Sequence, residues 1–350
     1  MGVRVGIGLF TGQLPAGSPR TFAQEYRDTI ELVRLAEHAG FDSAWVSEHH
    51  GSSDGYLPSL LVMLAAMAEA TDRIELGTGV ILTPLHDPIR LAEDAAVLDQ
   101  LSEGRLVVGL GLGWREEEFR MLRIPFAERL ARHVETVEIL RRAWTGERFS
   151  FAGEVFRFDR VRVTPPPARA GGPPILLGGY TGAALRRAGA LGDGHLTDAD
   201  DPEALGHVIA LVDEGARGAG KDPSSLRFAF MCNAFVVDGQ VAGERDDGWP
   251  IVREGVIHQL GAYEAWEAGH DTPDHDSLEP HVDDEDAARD ATAAGTPERV
   301  AARLAEIVTP LRDRDVELIV RLHYPGMDLA PAARAVELFG EHVLPSLRGS

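Results

Sequence analysis

Cysteine is nearly absent from this chain, and long apolar runs and an excess of basic residues are absent too. The single cysteine, Cys232, excludes a disulfide framework and a zinc site built from cysteines, and its apolar neighbours predict a buried core thiol. Lysine and arginine total 34 against 56 aspartate and glutamate residues, so the net charge of −22 argues against nucleic acid or an anionic membrane as a partner.

Signals for export or membrane insertion are also missing. The longest apolar run, residues 57–68, is too short to span a bilayer, and residues 1–10 alternate like a strand instead of forming the apolar core of a signal peptide. We therefore expect a cytoplasmic protein. No Gly-x-Gly-x-x-Gly sequence follows the first predicted strand, which disfavours a Rossmann domain that binds NAD(P)H.

What the chain does contain is a regular alternation of strand-like and helix-like segments. Eight apolar or alternating runs predict strands at residues 3–10, 41–47, 74–80, 106–111, 175–177, 194–197, 227–237 and 316–322. Amphipathic helical stripes separate these runs. The alternation predicts parallel strands with right-handed crossovers, and the strand count favours one (β/α)8 TIM barrel domain over residues 1–350.

Two segments interrupt this alternation. Residues 148–165 alternate with period two around Gly153, which predicts an inserted hairpin. Residues 270–292, after the seventh strand, are rich in Asp, Glu and His and predict a mobile acidic loop. The histidines of this segment, His270, His275 and His281, match no defined metal-ligand spacing, so the sequence predicts no metal site.

The most informative stretch ends the second predicted strand with Glu48, His49 and His50. In parallel α/β proteins, active sites are built at the carboxyl ends of the strands. Titratable side chains are costly to bury there unless they are paired or used. Two interpretations follow: a structural Glu–His pair at the barrel rim, or a group that handles protons in a reaction.

A second candidate is the strand-to-helix turn Gly178-Gly179-Tyr180-Thr181. Glycines let backbone amides approach an anion, and Thr181, as the N-cap, would begin a helix whose dipole favours a phosphate. An ordinary tight turn would have the same sequence.

Glycines and histidines at the ends of other strands form a third group. Gly79, Gly111 and Gly113 leave room for a flat ligand against the backbone, although close packing would also explain them. His195 and His323 end two later strands, where a buried and hydrogen-bonded histidine is the alternative.

With these residues in place, the chain resembles the bacterial luciferase-like flavin-dependent monooxygenase family over nearly its whole length. The matching segments are 40–42 with 48–50, 75–78 with 88–94, 98–105 and 295–298. The resemblance implies a barrel in which reduced FMN lies across the carboxyl ends of the strands. It also implies that the flavin reacts with O2 to oxygenate a small organic substrate.

The resemblance also assigns catalytic residues. His49 is implied to lie nearest the chemistry and to transfer protons, with Glu48 orienting it and His50 beside it. The Gly79–Val80 peptide bond is implied to be cis and to support the flavin. The acidic loop corresponds to one that closes over the site.

The cofactor phosphate is where the chain departs from luciferase. Leu112 stands where luciferase has an arginine, so either Arg115 or the turn at Gly178–Thr181 is expected to hold the phosphate. The full cofactor set implied by the resemblance is Gly79, Val80, Gly111, Gly113, Arg115, Gly178, Gly179, Tyr180, Thr181 and His195.

Two alternatives stay open beside the FMN monooxygenase. The sequence 184–187 and the Leu191–Gly194 stretch also resemble the deazaflavin-dependent branch, whose members transfer hydride, and a non-catalytic flavin-binding protein would keep the same barrel. The Glu-His-His triplet favours FMN. The expected partners are O2, a separate reductase that supplies reduced FMN, and a second copy of the chain, which would contact the helix at residues 58–70.

Overall fold

The computed structural model describes residues 3–198, 202–239, 248–267, 282 and 284–349. The strands are β1 (Arg4–Phe10), β2 (Ser43–Val46), β3 (Glu75–Thr78), β4 (Ile81–Leu82), β5 (Leu106–Gly111), β6 (Phe149–Ala152), β7 (Arg157–Val161), β8 (Ile175–Gly178), β9 (Gly194–Asp198), β10 (Arg227–Val236), β11 (Thr292–Gly295) and β12 (Asp315–Arg321). The helices are α1 (Phe22–Ala39), α2 (Leu60–Ala70), α3 (Pro88–Leu101), α4 (Glu116–Met121), α5 (Arg129–Ala143), α6 (Gly182–Leu191), α7 (Pro202–Gly218), α8 (Trp249–Glu267), α9 (Glu285–Asp290), α10 (Pro297–Val308), α11 (Leu329–Leu338) and α12 (Leu344–Gly349).

Eight parallel strands close into a barrel in the order β1-β2-β3-β5-β8-β9-β10-β12 and back to β1. The predicted (β/α)8 TIM barrel is confirmed. Helices surround the barrel and cover the outward faces of its strands with one continuous apolar core. Among the described residues, no helix combines the length and the hydropathy needed to cross a membrane.

The interior of the barrel is divided into layers. At the amino ends of the strands, Arg227 pairs with the buried carboxylate of Glu317 and, at 2.7 Å, with Glu75. Above these charges, Trp45 fills the centre of the barrel and packs with Leu9 and the inward residues of the neighbouring strands. A Cβ on Gly77 would lie 2.2 Å from the Trp45 ring, so the strand beside the tryptophan needs a glycine. The open space is therefore confined to the carboxyl ends.

The hairpin of β6 and β7, predicted from residues 148–165, is antiparallel and forms a separate two-stranded sheet.

The segment predicted as a mobile acidic loop, residues 270–292, differs from the expectation at its carboxyl end. The prediction is wrong from residue 284 onward, because the Asp284 side chain accepts a hydrogen bond from the Ala287 N–H at 2.8 Å and caps α9, and β11 then pairs with β10. Residues 268–281 and 283, with the predicted loop that includes them, lie outside the described residues.

Candidate functional site

A cavity of about 710 Å³ opens at the carboxyl ends of the barrel strands. Its size is that of a site for a cofactor together with a small ligand. Ten of the residues predicted for the site line it: Glu48, His49, Gly79, Val80, Gly111, Gly113, Gly178, Gly179, Tyr180 and Thr181. The Gly79–Val80 peptide bond is cis, which confirms that prediction.

Three predicted residues do not line the cavity. His50 is half-buried and its Nε2 lies 2.6 Å from Glu48 Oε1. Arg115 is buried with its guanidinium 3.9 Å from the centre of the Trp266 ring. His195 is fully buried, and its Nδ1 lies 2.6 Å from the Leu177 carbonyl. Leu196 and Asp198 line the cavity, and side chains alternate along a strand, so His195, which precedes Leu196, points to the other face of β9.

Glu48 does not contact His49, contrary to the orienting role expected for it. Oε1 of Glu48 lies 2.6 Å from His50 Nε2 and 2.8 Å from His86 Nε2, and Oε2 accepts the Leu82 N–H at 2.7 Å. Burial favours the neutral acid, but the charges of His86 and His50 and their hydrogen bonds outweigh it and lower the pKa of Glu48 to about 2. The carboxylate is therefore anchored to two histidines.

These three side chains also form a cluster that could hold a metal ion, with their ligand atoms all within 4.8 Å of one another. The sequence did not indicate this cluster, because His86 comes from the segment after β4. Charge-assisted hydrogen bonds account for the arrangement as it stands.

His49 is instead held by Glu118, a residue that the sequence did not single out. Nδ1 of His49 lies 2.8 Å from Glu118 Oε1, and the ring is 5% exposed. Four aromatic rings surround it, with centroids 4.8 Å away for Tyr56 and Trp266, 5.5 Å for Tyr263 and 6.4 Å for Trp114. With Nδ1–H donated to the carboxylate, Nε2 is the nitrogen left to exchange a proton with a ligand, and it has no hydrogen bond to any described residue.

A second proton-carrying group adjoins His49. The hydroxyl groups of Tyr56 and Tyr263 lie 3.0 Å apart, and the Tyr56 hydroxyl donates to Ser47 Oγ at 3.0 Å. Burial raises the pKa of Tyr56 and raises that of Tyr263 well above its ordinary value, so both phenols stay neutral and can donate. Their positions 56 and 263 come from distant segments, and nothing in the sequence linked them.

The phosphate-type turn has the geometry that the sequence suggested. Gly179 has φ +138°, a conformation that favours glycine, and a Cβ there would lie 2.8 Å from the Ala184 side chain. Thr181 caps α6 by accepting the Ala184 N–H at 3.3 Å. Arg187, one and a half turns into α6, also lines the cavity and makes no ion pair or hydrogen bond with a described residue. Burial lowers the pKa of Arg187.

Comparison with known proteins shows the family of this chain. The model of the luciferase-like monooxygenase family matches residues 3–314. The chain belongs to the luciferase-like monooxygenase family.

Individual relatives are named for two kinds of chemistry, F420-dependent dehydrogenation and monooxygenation. The chain is 30% identical over 337 residues to the F420-dependent glucose-6-phosphate dehydrogenase of Mycolicibacterium gilvum, covering 92% of this chain and 94% of the relative. The crystal structure of monooxygenase RslO1 from Streptomyces bottropensis superposes with a TM-score of 0.81 at 28% identity, covering 98% and 99% of the two chains. An F420-dependent secondary alcohol dehydrogenase shares the fold, with a TM-score of 0.79 at 21% identity and 99% and 100% coverage. The oxygenating constituent of 3,6-diketocamphane monooxygenase from Pseudomonas putida, in complex with FMN, also shares the fold, with a TM-score of 0.77 at 22% identity and 99% coverage of both chains. Together these findings support an oxidoreductase with a flavin-type cofactor, either FMN or the deazaflavin F420.

Proposed function

We propose that this protein is a monooxygenase that binds reduced FMN, supplied by a separate reductase, and uses O2 to oxygenate a small organic substrate. The observation that carries the proposal is the pairing of two features in one cavity. One is a glycine turn at the start of α6 with Arg187, and the other is His49 held by Glu118. The first fits a phosphate monoester and the second a proton-transfer step.

The phosphate end follows from the geometry of α6. The first N–H groups of a helix have no intrahelical acceptor, and the turn brings them to the cavity wall. Gly178 and Gly179 keep this wall free of side chains, and Arg187 adds the positive charge that a dianion requires. The residues present therefore fit the phosphate of FMN.

The reactive end lies beside the cis peptide. Bound FMN would supply the electrons for O2 activation. His49 exchanges a proton through Nε2, while Glu118 fixes the tautomer and stabilises the imidazolium. The aromatic rings around His49 exclude water from the reacting atoms.

Hydride transfer with F420 is the second candidate, since the Mycolicibacterium gilvum relative is named for that cofactor. F420 continues beyond its phosphate into a chain of carboxylates, which requires further cations. The two arginines that line the cavity among the described residues are Arg187 and Arg321, and only Arg187 belongs to α6. One cation at the turn favours FMN.

Anaerobic titration separates these candidates. The full chain is titrated with reduced FMN and with oxidised F420. The reduced FMN complex is then exposed to O2 with a panel of ketones, and the oxidised F420 complex is given a panel of secondary alcohols without O2, so that F420 accepts the hydride. Tighter binding of reduced FMN and incorporation of an oxygen atom into product support the monooxygenase. Tight binding of F420 with oxidation of an alcohol would contradict the monooxygenase proposal and support an F420-dependent dehydrogenase instead. Cofactor binding without turnover of any panel member would favour the non-catalytic flavin-binding protein.

Substitution of Arg187 tests the phosphate site. Arg187→Gln is expected to weaken FMN binding about 10- to 100-fold, because a charge-assisted hydrogen bond to the phosphate is lost. Riboflavin, which lacks the phosphate, should bind both proteins equally in a fluorescence titration. Arg186→Gln is the matched control, since Arg186 pairs with Glu214 at 3.0 Å on the outer face of α6. An equal loss of riboflavin affinity would show that Arg187 supports the fold and not the phosphate.

We further propose that the chain forms a homodimer through α2 and α3. Val62 is 71% exposed and Leu101 57% exposed, and both line an apolar groove between these helices. Val62→Asp is expected to raise the dimer dissociation constant about tenfold or more, because a carboxylate would be buried without a partner. Light scattering across a concentration series measures this. Leu130→Asp, at an exposed leucine of α5, is the control, and a wild-type monomer at every concentration would contradict the proposal.

A further inference from the structure

Arg321, the last residue of β12, lines the cavity without an ion-pair partner among the described residues. The residue is 8% exposed, its Nε is completely buried, and its side chain makes no hydrogen bond or ion pair with any described residue. Removing a guanidinium from water without a partner is costly, so such groups are normally paired. The chain holds 56 carboxylates against 34 lysines and arginines, which makes an unpaired buried arginine more unusual still.

Among the described residues, three carboxylates line the cavity: Asp198, Glu267 and Glu48, which binds His50 and His86. Asp198 accepts the Tyr180 hydroxyl through Oδ2 at 2.6 Å. Burial raises the pKa of Asp198 and the charge of Arg321 acts to lower it, but the two side chains form no ion pair. Glu267 lies at the exposed end of α8. No carboxylate of the described ranges therefore forms an ion pair with Arg321, and its positive charge is available to a group that enters the cavity.

Two amide side chains accompany this charge. Asn233 lies beside Arg321 in the sheet, since the two residues are paired in the register of β10 and β12, and both line the cavity. Gln259, on α8, is buried and lines it too. Neither side chain has a hydrogen bond to a described residue. A guanidinium with amide donors nearby is an arrangement that recognises an oxyanion.

The position of Arg321 separates it from the phosphate turn. In the barrel order, β12 is three strands from β8, where the turn begins, which corresponds to about 14 Å around the wall at the usual strand spacing. One small phosphate cannot contact both ends. Arg321 also lies on the strand that pairs with β1, close to the aromatic wall of the reactive end: its charge acts on the pKa of both Tyr56 and Tyr263.

We propose that Arg321, with Asn233 and Gln259, binds an anionic oxygen group of the substrate, a carboxylate or a phosphate ester, so that the substrate is a small organic anion. This inference rests on the proposed function in that it names the substrate class of the same cavity. The guanidinium fixes the anionic end of the substrate and leaves the rest of the molecule facing His49 and the cofactor position.

Calorimetric titration of the full chain tests this inference, with and without bound FMN. The probes are benzoate, phenyl phosphate and the neutral analogue benzamide. Benzoate or phenyl phosphate should bind the wild-type protein, and Arg321→Gln should weaken that binding about 10- to 100-fold. Benzamide should be unaffected, and Arg321→Lys should retain part of the affinity because it keeps the charge but loses the planar fork. The anion that binds more tightly identifies the oxyanion.

Arg299→Gln, on the exposed face of α10, makes the same change in net charge outside the cavity and should leave all three affinities unchanged. Arg321→Met provides a test that does not depend on a ligand. It replaces an unpaired buried charge with an apolar chain of similar length, so it should unfold at the wild-type temperature or above. A lower unfolding temperature would show that Arg321 stabilises the folded protein and would contradict a role reserved for a ligand.

Equal benzoate and benzamide affinities, or Arg321→Gln binding both anions as the wild type does, would overturn the inference. So would a loss of FMN affinity in Arg321→Gln with anion binding intact, because Arg321 would then belong to the cofactor. Anion binding through Arg321 in a protein that binds neither FMN nor F420 would refute the proposed function and leave this inference standing. Cofactor binding without anion binding would overturn this inference and leave the proposed function standing.

Discussion

Replacement of His49 with asparagine should lower kcat about 100- to 10,000-fold on the substrate identified by screening, the range that general acid–base catalysis contributes. Asparagine carries its amide nitrogen where histidine carries Nδ1, so it can still donate to Glu118, which lies 2.8 Å from Nδ1. It lacks the nitrogen that faces the cavity. Cofactor affinity should therefore stay near the wild-type value while proton transfer is lost, as steady-state kinetics and a cofactor titration can measure.

Companion variants separate a proton-transfer role from a packing role. Glu118→Gln should reduce kcat less, because glutamine still accepts the Nδ1–H but no longer stabilises the imidazolium. The pH profile of kcat should lose one ionisation in His49→Asn and shift in Glu118→Gln. His342→Asn, at an exposed histidine far along the chain, is the matched control. An unaltered pH profile in His49→Asn would remove His49 from the chemistry.

Acidification from about pH 7.5 to pH 5 should cost the protein about 4 kcal/mol of unfolding free energy through two histidines alone. Burial lowers the pKa of His133 to about 4, with the charge of Arg187 acting in the same direction, and burial lowers that of His195 to about 4. Below the ordinary pKa of 6.5, the unfolded chain takes up these protons first. Stability is therefore complete above 6.5 and is lost as the pH falls towards 4, by about 2 kcal/mol per histidine at pH 5.

Asparagine variants isolate this contribution. At position 195, the amide nitrogen of asparagine can replace Nδ1 of histidine as the donor to the Leu177 carbonyl. At position 133, the asparagine side chain can reach the Thr83 hydroxyl, which lies 2.6 Å from Nδ1 of His133. The double variant, His133→Asn with His195→Asn, should be less stable than the wild type at both pH values because cavities remain. The unfolding free energy that it loses between pH 7.5 and pH 5 should be about 4 kcal/mol smaller than the loss in the wild type. Urea unfolding at the two pH values measures this. A pH-dependent loss equal to that of the wild type would contradict the prediction, and His342→Asn should not alter it.

His323 is left out of this pair for a physical reason. Its pKa is also lowered to about 4 by burial, but it lies 3.5 Å from Glu25, whose pKa burial raises to about 7. The folded state then holds a proton on Glu25 that the unfolded chain releases above 4.5, so the contribution of Glu25 falls as the pH rises. The two groups oppose each other across the same window.

Most of the barrel could be predicted from local patterns. β5 has the bounds that its apolar run predicted, Leu106–Gly111. Thr181 caps its helix as expected, since a cap is a contact between residues two or three positions apart. β11 was missed because Thr292–Gly295 holds small residues with little strand propensity, and only its pairing with β10 makes it a strand.

The sequence by itself determined the family, the barrel and the face on which the cavity opens, because each follows from periodicity, strand count and short motifs that a reader can place along the chain. Only the tertiary structure decided which side chains meet. In the folded chain, His49 contacts Glu118 and Glu48 contacts His86. Arg115 packs against Trp266, whereas Arg187 and Arg321 line the cavity. Those pairings depend on contacts between distant segments, and neither the residue type nor its spacing along the chain specifies them.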